Sequence, residues 1–408
     1  MLLRILILIM LLLVLPDTYI YIMYIRRWTK RLSLRLLCFL PSLLLAVAAV
    51  VIMSSNDMKP EHQSWVGMYM LVFLIVCIPK TLFMVCDIIG HFVIWIVFQV
   101  LQVSRRFKCI FKRGFRILGM TLSIMAASIL CLGYFVGRHY YVVHQQSFYF
   151  PDLPQEFEGY CIAQFSDMHI GTFRDGNEAD VRKIVDLINR QQCDAILFVG
   201  DLVNHQSAEL DGFKRDLSRL KAPDGVFAVM GNHDYSMYIK YPNEKDREAD
   251  VNELQRRIKS YGWTLLLNEH RTIHRRKDSI VIAGIENDGR PPFPSYGDLK
   301  KTMKGVKDGS FTVLLSHDPT AWQRKILPQT DIQLTLSGHT HAGQFKVFGW
   351  SPVAPIYTEW SGAYSNGRRI LNVSDGIGAV MFPFRFGAWP EVNVITLHRG
   401  IPQKIKGY

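Results

Sequence analysis

The chain has 408 residues, a formal net charge of +12 and 49% hydrophobic residues, a length that allows two or three domains. Residues 1–150 carry 15 Lys and Arg against 4 Asp and Glu, whereas the remainder carries 32 against 31. The basic excess therefore lies in the most apolar third. Lys and Arg collect in the cytoplasmic loops of membrane proteins, so nucleic acid is excluded as the partner behind the charge. Seven cysteines without a CxxC pair exclude a thiolate metal site or redox motif.

In chain order, residues 5–25 are apolar and long enough to span a bilayer, though interrupted by Pro16 and Asp17. A cleaved signal peptide is the alternative, but no small-x-small cleavage site follows. Residues 36–53 and 117–137 carry no charge and are near the roughly 20 residues a spanning helix needs. Residues 65–103 are apolar for longer than one crossing and are broken by Pro79, Lys80, Asp87 and His91. They fit one crossing with an interfacial helix, or two crossings.

Charge decides between these. Loops 26–35 and 104–116 hold five and six basic residues, and loop 54–64 holds only Lys59. Both basic loops belong in the cytoplasm, so residues 65–103 cross once. The expectation is about four spans within residues 1–140, a linker at 141–157, and both termini outside the cytoplasm. Asp87 and His91 are expected at the interface end of a helix, the alternative being a functional intramembrane pair.

Beyond the linker the pattern alternates. Residues 160–166, 195–200 and 226–231 are short apolar strands, each followed by polar residues. Val181, Ile184, Val185 and Ile188 have helical spacing, as do Leu210, Phe213, Leu217 and Leu220, and then Val251, Leu254 and Ile258. Further strands are expected near 263–267, 280–285, 311–316, 332–336 and 392–398, with a hairpin at Asn366-Gly367. Alternating strands and helices predict an α/β domain with β-hairpin material near the end.

The strand ends carry the chemistry. They read FSDMHIG (Asp167, His169), GDLVN (Asp201, Asn204), GNHD (Asn232, His233, Asp234), LLSHDP (His317) and LSGHTHAGQ (His339, His341). Ligands of open α/β sheets bind outside the carboxyl ends of strands, and five of the 13 histidines sit there. No one of these motifs is specific alone, but five in one order at five strand ends are.

Taken together they resemble the calcineurin-like metallophosphoesterases, over roughly residues 158–400. GHTHAGQ and the closing NVSDGIGAVMFPFRFGAWPEVNVITL look most like the bacterial membrane-associated phosphodiesterase branch. The resemblance implies an α/β domain built as a two-sheet β-sandwich flanked by helices, behind a polytopic α-helical membrane region. It implies two divalent metal ions, and the all-nitrogen-and-oxygen donor set suits Mn, Fe, Zn or Co. One ion would take Asp167, His169, Asp201 and His341. The other would take Asp201, Asn232, His317 and His339, with Asp201 as the bridge. Two such ions, about 3.5–4 Å apart, clamp a phosphoryl group and activate a water. Gly338 and Gly343 would let the backbone turn around the histidine pair.

His233 would be the general acid or the stabiliser of substrate charge. Asn204 stands where protein-phosphatase relatives have an Asp, and would orient His233 through its amide. Asp234 is a turn, cap or catalytic residue, and His205 is a solvated loop histidine. Arg174, Arg290 and Arg385 either grip phosphate or are structural. The run MFPFRFGAW (381–389) either packs the sandwich edge or meets lipid.

The functional expectation is a membrane-anchored, metal-dependent phosphoesterase, placed by that resemblance in the bacterial inner membrane, with its catalytic domain outside the cytoplasm. Its substrate would be a phosphodiester or a lipid-linked phosphoester. One rival is a UDP-2,3-diacylglucosamine-type pyrophosphate hydrolase of lipid A synthesis, which needs the opposite topology. The other is a non-catalytic metal-binding receptor or scaffold, which would be marked by lost ligand positions.

Overall fold

The computed structural model describes residues 2–55, 63–101, 104–174 and 176–401. Lys59 and Tyr408 lie outside them. The chain divides into a helical unit up to Tyr134 and an α/β unit from Phe135 onward.

In the helical unit, helix Leu2–Ile20 continues through a π-helical turn, Tyr21–Ile25, as far as Trp28. Pro16 and Asp17 do not interrupt it. Asp17 is buried, and the Lys80 ammonium donates to it at 2.6 Å and to Ser42 Oγ at 3.3 Å. A charge in an apolar bundle is expensive unless paired, and these two residues, 63 positions apart, neutralise each other. Pro79 and Lys80 likewise sit inside one continuous helix, Gln63–Leu101.

Asp87 lies within the same helix, four residues before His91. It is buried and accepts hydrogen bonds from the Tyr19 and Tyr24 hydroxyls and from Arg116 Nε. His91 Nδ1 lies 2.8 Å from the Asp87 carbonyl oxygen. The expected loop 104–116 is helical as well, opening the helix Arg105–Phe135, with the rings of Phe107, Phe111 and Phe115 adjoining one turn apart.

Among the described residues, three helices are long and apolar enough to cross a membrane: Ile7–Trp28, Trp65–Val97 and Arg105–His139. The fourth expected span is shorter. The run 36–53 is split, because helix Leu32–Leu37 ends and a new helix, Leu40–Ser55, begins around Pro41. Proline is tolerated in a first turn, where its missing N–H is not needed.

The α/β unit has two six-stranded sheets. The first runs β1 (Val142–Phe150), β12 (Glu391–Arg399), β2 (Tyr160–Phe165), β3 (Ala195–Val199), β4 (Val226–Val229), β5 (Thr264–Leu265). The second runs β10 (Gly362–Asn366), β11 (Arg369–Val373), β9 (Leu334–Ser337), β8 (Thr312–Leu315), β7 (Asp278–Gly284), β6 (Glu269–Arg275). The stretch at 142–150, read from sequence as linker, is strand β1, paired in parallel with β12. Its polar HQQ segment masked the strand pattern, because an edge strand need bury little.

The faces alternate, as the two-residue strand period requires. Ala195, Leu197 and Val199 of β3 join Ile282, Leu315 and Leu336 in the core between the sheets. Ile196 and Phe198 point the other way and pack on helices Glu178–Asn189 and Glu244–Ser260. A third cluster, around Trp322 and Ile326, covers the outer face of the second sheet. The helix expected over 210–220 shrinks to Lys214–Leu217 after a 3-10 turn, Ser207–Leu210. β2, β3 and β4 run parallel, as do β7, β8, β9 and β11.

Phe198 contacts Phe165 and Trp263, with ring centroids 4.8 and 5.6 Å away. Phe198→Ala is expected to destabilise this unit by about 3–5 kcal/mol, measured by denaturant unfolding of the solubilised protein with tryptophan emission as the signal.

Candidate metal centre

The carboxyl ends of five strands meet at one place. β2 delivers Asp167 and His169, β3 delivers Asp201, β4 delivers Asn232 and His233, β8 delivers His317, and β9 delivers His339 and His341. Three groups form with ligand atoms within 4.8 Å of one another: Asp167, His169 and His341; His169, Asp201 and His233; Asp201, His317 and His339. The seven residues expected from sequence as ligands therefore share one centre, since Asn232 Oδ1 lies 2.8 Å from His339 Nδ1. Asp201 Oδ2 stands between the groups, 3.1 Å from His317 Nε2 and 3.7 Å from His169 Nε2.

Tight backbone turns make this convergence possible. Asp167, His169, Asp201, His339 and His341 all have positive φ, between 44° and 74°. The left-handed region costs a non-glycine residue about 1–2 kcal/mol, and such strain gathers at functional sites. Main-chain bonds hold the turns: Asp167 N–H to the Gly200 carbonyl at 2.8 Å and His169 N–H to the Asp201 carbonyl at 3.1 Å. Gly338 supplies space rather than a left-handed turn, since a Cβ there would lie 2.3 Å from Asp167 Oδ2. Gly343 does adopt positive φ, at 59°.

The donors fit divalent cations. They are nitrogen and oxygen atoms, and His169 Nε2 and His341 Nε2 face each other at 3.0 Å, with Asp167 Oδ1 3.2 Å from the latter. Burial holds His169, His339 and His341 below the ordinary histidine value, which favours the neutral ring that binds metal. Burial opposes the charge of Asp167 and Asp201, but the surrounding histidines, His341 foremost for Asp167 and His317 foremost for Asp201, together hold both carboxyls low. Burial also opposes the charged form of His317, yet Asp201 raises it to about 10.

Surrounding groups aim the ligands. The Val199 carbonyl lies 2.7 Å from His317 Nδ1 and accepts its proton, leaving Nε2 for the centre. Asn232 donates to the Tyr238 hydroxyl at 2.7 Å, which turns its amide oxygen inward. Tyr357 stands 3.0 Å from His339 Nε2 and leaves Nδ1 facing Asn232. The two tyrosines lie in loops without a fixed spacing to the motifs, so the sequence offered no signal for them.

Asp234 is a brace. Its carboxylate accepts the N–H groups of Asp201, Leu202, Val203 and Gly231 at 2.8–3.2 Å. His233 Nδ1 lies 2.6 Å from the main-chain carbonyl of Asn204. This corrects the sequence reading, in which the Asn204 amide held the ring. The amide nitrogen instead donates to the His169 carbonyl at 3.4 Å.

His205 is not a solvated loop residue. Burial, reinforced by His233, pushes it down to about 4, and its ring lies 6.5 Å from His233. Arg174 is structural, spanning the carbonyls of Ala208, Glu209 and Asp211. Arg385 is fully buried and donates to the carbonyls of Asp375 and Gly378, with its guanidinium 3.0 Å from His341 Nδ1. Arg290 is exposed on the loop whose Phe293 ring lies 4.7 Å from that of His339. Of the three arginines it alone is exposed. In the run 381–389, Phe384, Arg385 and Ala388 are buried and Phe386 pairs with Gln344 and Lys346, while Met381 stays exposed.

A two-sheet α/β domain with buried histidines and carboxylates gathered at its strand ends, following long apolar helices, defines a membrane-linked metalloprotein class. Residues 161–343 match the family model described as calcineurin-like phosphoesterase, and residues 3–138 match one described as "Probable Calcineurin-like phosphoesterase, transmembrane domain". The chain is 31% identical over 261 residues to an uncharacterized metallophosphoesterase, YkuE, of Bacillus subtilis, covering 60% of this chain and 81% of that one. An uncharacterized metallophosphoesterase of Aquifex aeolicus is 29% identical, covering 58% and 84%. A transmembrane protein with metallophosphoesterase domain from Danio rerio is 29% identical, covering 60% of this chain but only 54% of that longer protein. The chain belongs to the calcineurin-like metallophosphoesterases and is an integral membrane protein.

Removing the Tyr357 hydroxyl frees the His339 ring. Tyr357→Phe is expected to weaken Mn²⁺ binding about 10- to 100-fold, measured by equilibrium dialysis of the full-length protein.

Proposed function

We propose that this chain is a membrane-anchored hydrolase that uses two divalent metal ions to cleave a phosphodiester or a lipid-linked phosphoester. The observation that carries the reading is the position of Asp201 Oδ2, within 4 Å of histidines from both ligand groups. Asp167, His169, Asp201 and His341 would hold one ion, and Asp201, Asn232, His317 and His339 the other. When bound, such ions supply Lewis-acid polarisation of the phosphoryl group and activation of water.

The protein's own part is to place and protonate. His233 stands beside the centre with its backbone N–H on Asp201 Oδ1 at 2.9 Å. The Asn204 carbonyl fixes the proton of its Nδ1, so Nε2 faces the reacting phosphoryl group as acid or charge stabiliser. All seven ligand positions are filled, so the feature expected of a non-catalytic receptor is missing.

Two observations favour a domain outside the cytoplasm. The basic segments 26–35 and 105–116 enclose two helices, Leu40–Ser55 and Gln63–Leu101; one crossing by each puts both basic segments in the cytoplasm, and the second helix is continuous, as a single crossing requires. Cys161 and Cys193 are paired as a disulfide, a bond that persists in oxidising compartments.

With Mn²⁺, the purified full-length protein is expected to hydrolyse bis-p-nitrophenyl phosphate. Asp201→Asn should abolish turnover, and His233→Ala should lower kcat by about 10²–10⁴-fold. Because the contact to His233 is a main-chain carbonyl, Asn204→Ala should keep kcat within about tenfold of the wild type. Equal inactivity of wild type and Asp201→Asn on all phosphoesters would overturn the enzyme reading. Paired compartment reporters fused after Tyr408 should be active only outside the cytoplasm. A cytoplasmic signal would reverse the topology and bring a nucleotide-lipid pyrophosphate hydrolase forward.

A further inference from the structure

Exposed apolar residues in the α/β unit are not scattered. From β1 to the end of β12, the exposed large hydrophobic side chains among the described residues are Met237, Tyr238, Tyr296, Phe348, Trp350, Ile356 and Met381. Met237 and Tyr238 follow β4, Tyr296 follows β7, Phe348, Trp350 and Ile356 follow β9, and Met381 follows β11. Every one lies on the carboxyl-end loops that surround the metal centre. The loops joining elements at the opposite ends of the strands expose none; outside this stretch the unit also exposes Phe135, Val136 and Tyr140 before β1 and Ile401 after β12. Single exposed hydrophobics are ordinary on any surface. The concentration of seven on the loops of one face is not.

Two of these positions are held at a conformational disadvantage. Val347 and Trp350 exchange main-chain hydrogen bonds of 2.9 and 3.0 Å, closing a two-residue hairpin turn. Its tip is Phe348, at φ 50° and fully exposed, followed by Gly349 at φ 75°. Asn, Asp or Gly ordinarily fills such a turn, because both central residues need positive φ. Met381 has φ 58° and is 75% exposed. Neither side chain gains enough packing within the protein to offset this. The two tips share one platform, since the Gln344 side chain binds the main chain of Val380 and Phe382, and Phe345 bridges Phe386.

We propose that this rim is a lipid-docking face: Phe348, Trp350 and Met381 enter the bilayer surface and bring a membrane-resident phosphoester to the centre. This rests on the phosphoesterase reading for its substrate, though not for its lipid contact. A lipid surface is favoured over a protein partner because residues 136–141 alone separate the last long apolar helix from β1. At about 3.3–3.6 Å per residue they reach about 20 Å, so the unit is held permanently beside a bilayer. Trp and Tyr at the rim, apolar rings with a polar edge, suit the headgroup level.

The test uses full-length protein in nanodiscs of phosphatidylcholine carrying a photoactivatable diazirine on its acyl chain, with adducts mapped by peptide mass spectrometry. Adducts are expected on the peptides containing 347–350 and 381, beside those on helices 65–97 and 117–135, which serve as internal control. The Phe348→Ser, Trp350→Ser, Met381→Ser triple variant should lose rim labelling about tenfold or more while labelling of the helices is unchanged. Adducts confined to the helices, rim labelling that survives the triple variant, or rim peptides cross-linked to a second copy of the chain would each overturn the proposal. Hydrolysis of the soluble diester is read separately, so loss of lipid contact and loss of phosphoesterase activity are distinguishable.

Discussion

Everything in the α/β unit is arranged around the crowding of like groups at the ends of β2, β3, β4, β8 and β9. Two buried carboxylates, an amide and five imidazoles occupy one volume, where lone pairs confront each other at 3.0 Å. Without cations such a centre is electrostatically unfavourable, because buried polar groups lose hydration that they must recover from partners. The fold sustains it with left-handed backbone at five of these residues and with glycines where any side chain would collide. Gly231 is one, its missing Cβ leaving room for Asp201 Oδ1. The Asp234 carboxylate, binding four main-chain N–H groups, ties the β3 and β4 turns together.

The same rule operates in the helical unit. Asp17 with Lys80, and Asp87 with Tyr19, Tyr24 and Arg116, bury charge only in company. These residues looked like interruptions of apolar segments. Joined across helices, they become contacts that specify which helices pair, while the segments remain apolar toward lipid.

The legible parts of the sequence were those whose signal is local. Strands β2, β3, β4, β8 and β9 are short apolar runs ending in polar residues, and the run-and-stop pattern survives any tertiary arrangement. The helix Glu178–Asn189 was visible from the spacing of Val181, Ile184, Val185 and Ile188. Strand β1 was not, because HQQ at a sheet edge reads as linker. The long helix predicted over 210–220 was not formed: the Glu209 carboxylate binds the N–H groups of Asn204, His205 and Gln206 and closes Ser207–Leu210 as a separate 3-10 turn, and only Lys214–Leu217 is α-helical. Asn204 illustrates a different blindness: its side chain was the visible feature, yet its main-chain carbonyl makes the contact with His233.

By itself the sequence determined the kinds of atom available and their order along the chain: apolar segments long enough for a membrane, and Asp, Asn and His placed at the stops of strands. Those follow from length, hydrophobic period and residue chemistry, which are properties of short stretches. Tertiary structure alone decided that Tyr238 and Tyr357 orient Asn232 and His339, that the main-chain carbonyl of Asn204 meets His233, and that exposed apolar residues gather on the face of the centre. Apart from the local Tyr238–Asn232 contact, these join residues far apart in the chain, and a contact made by chain folding leaves no periodicity in the sequence to read.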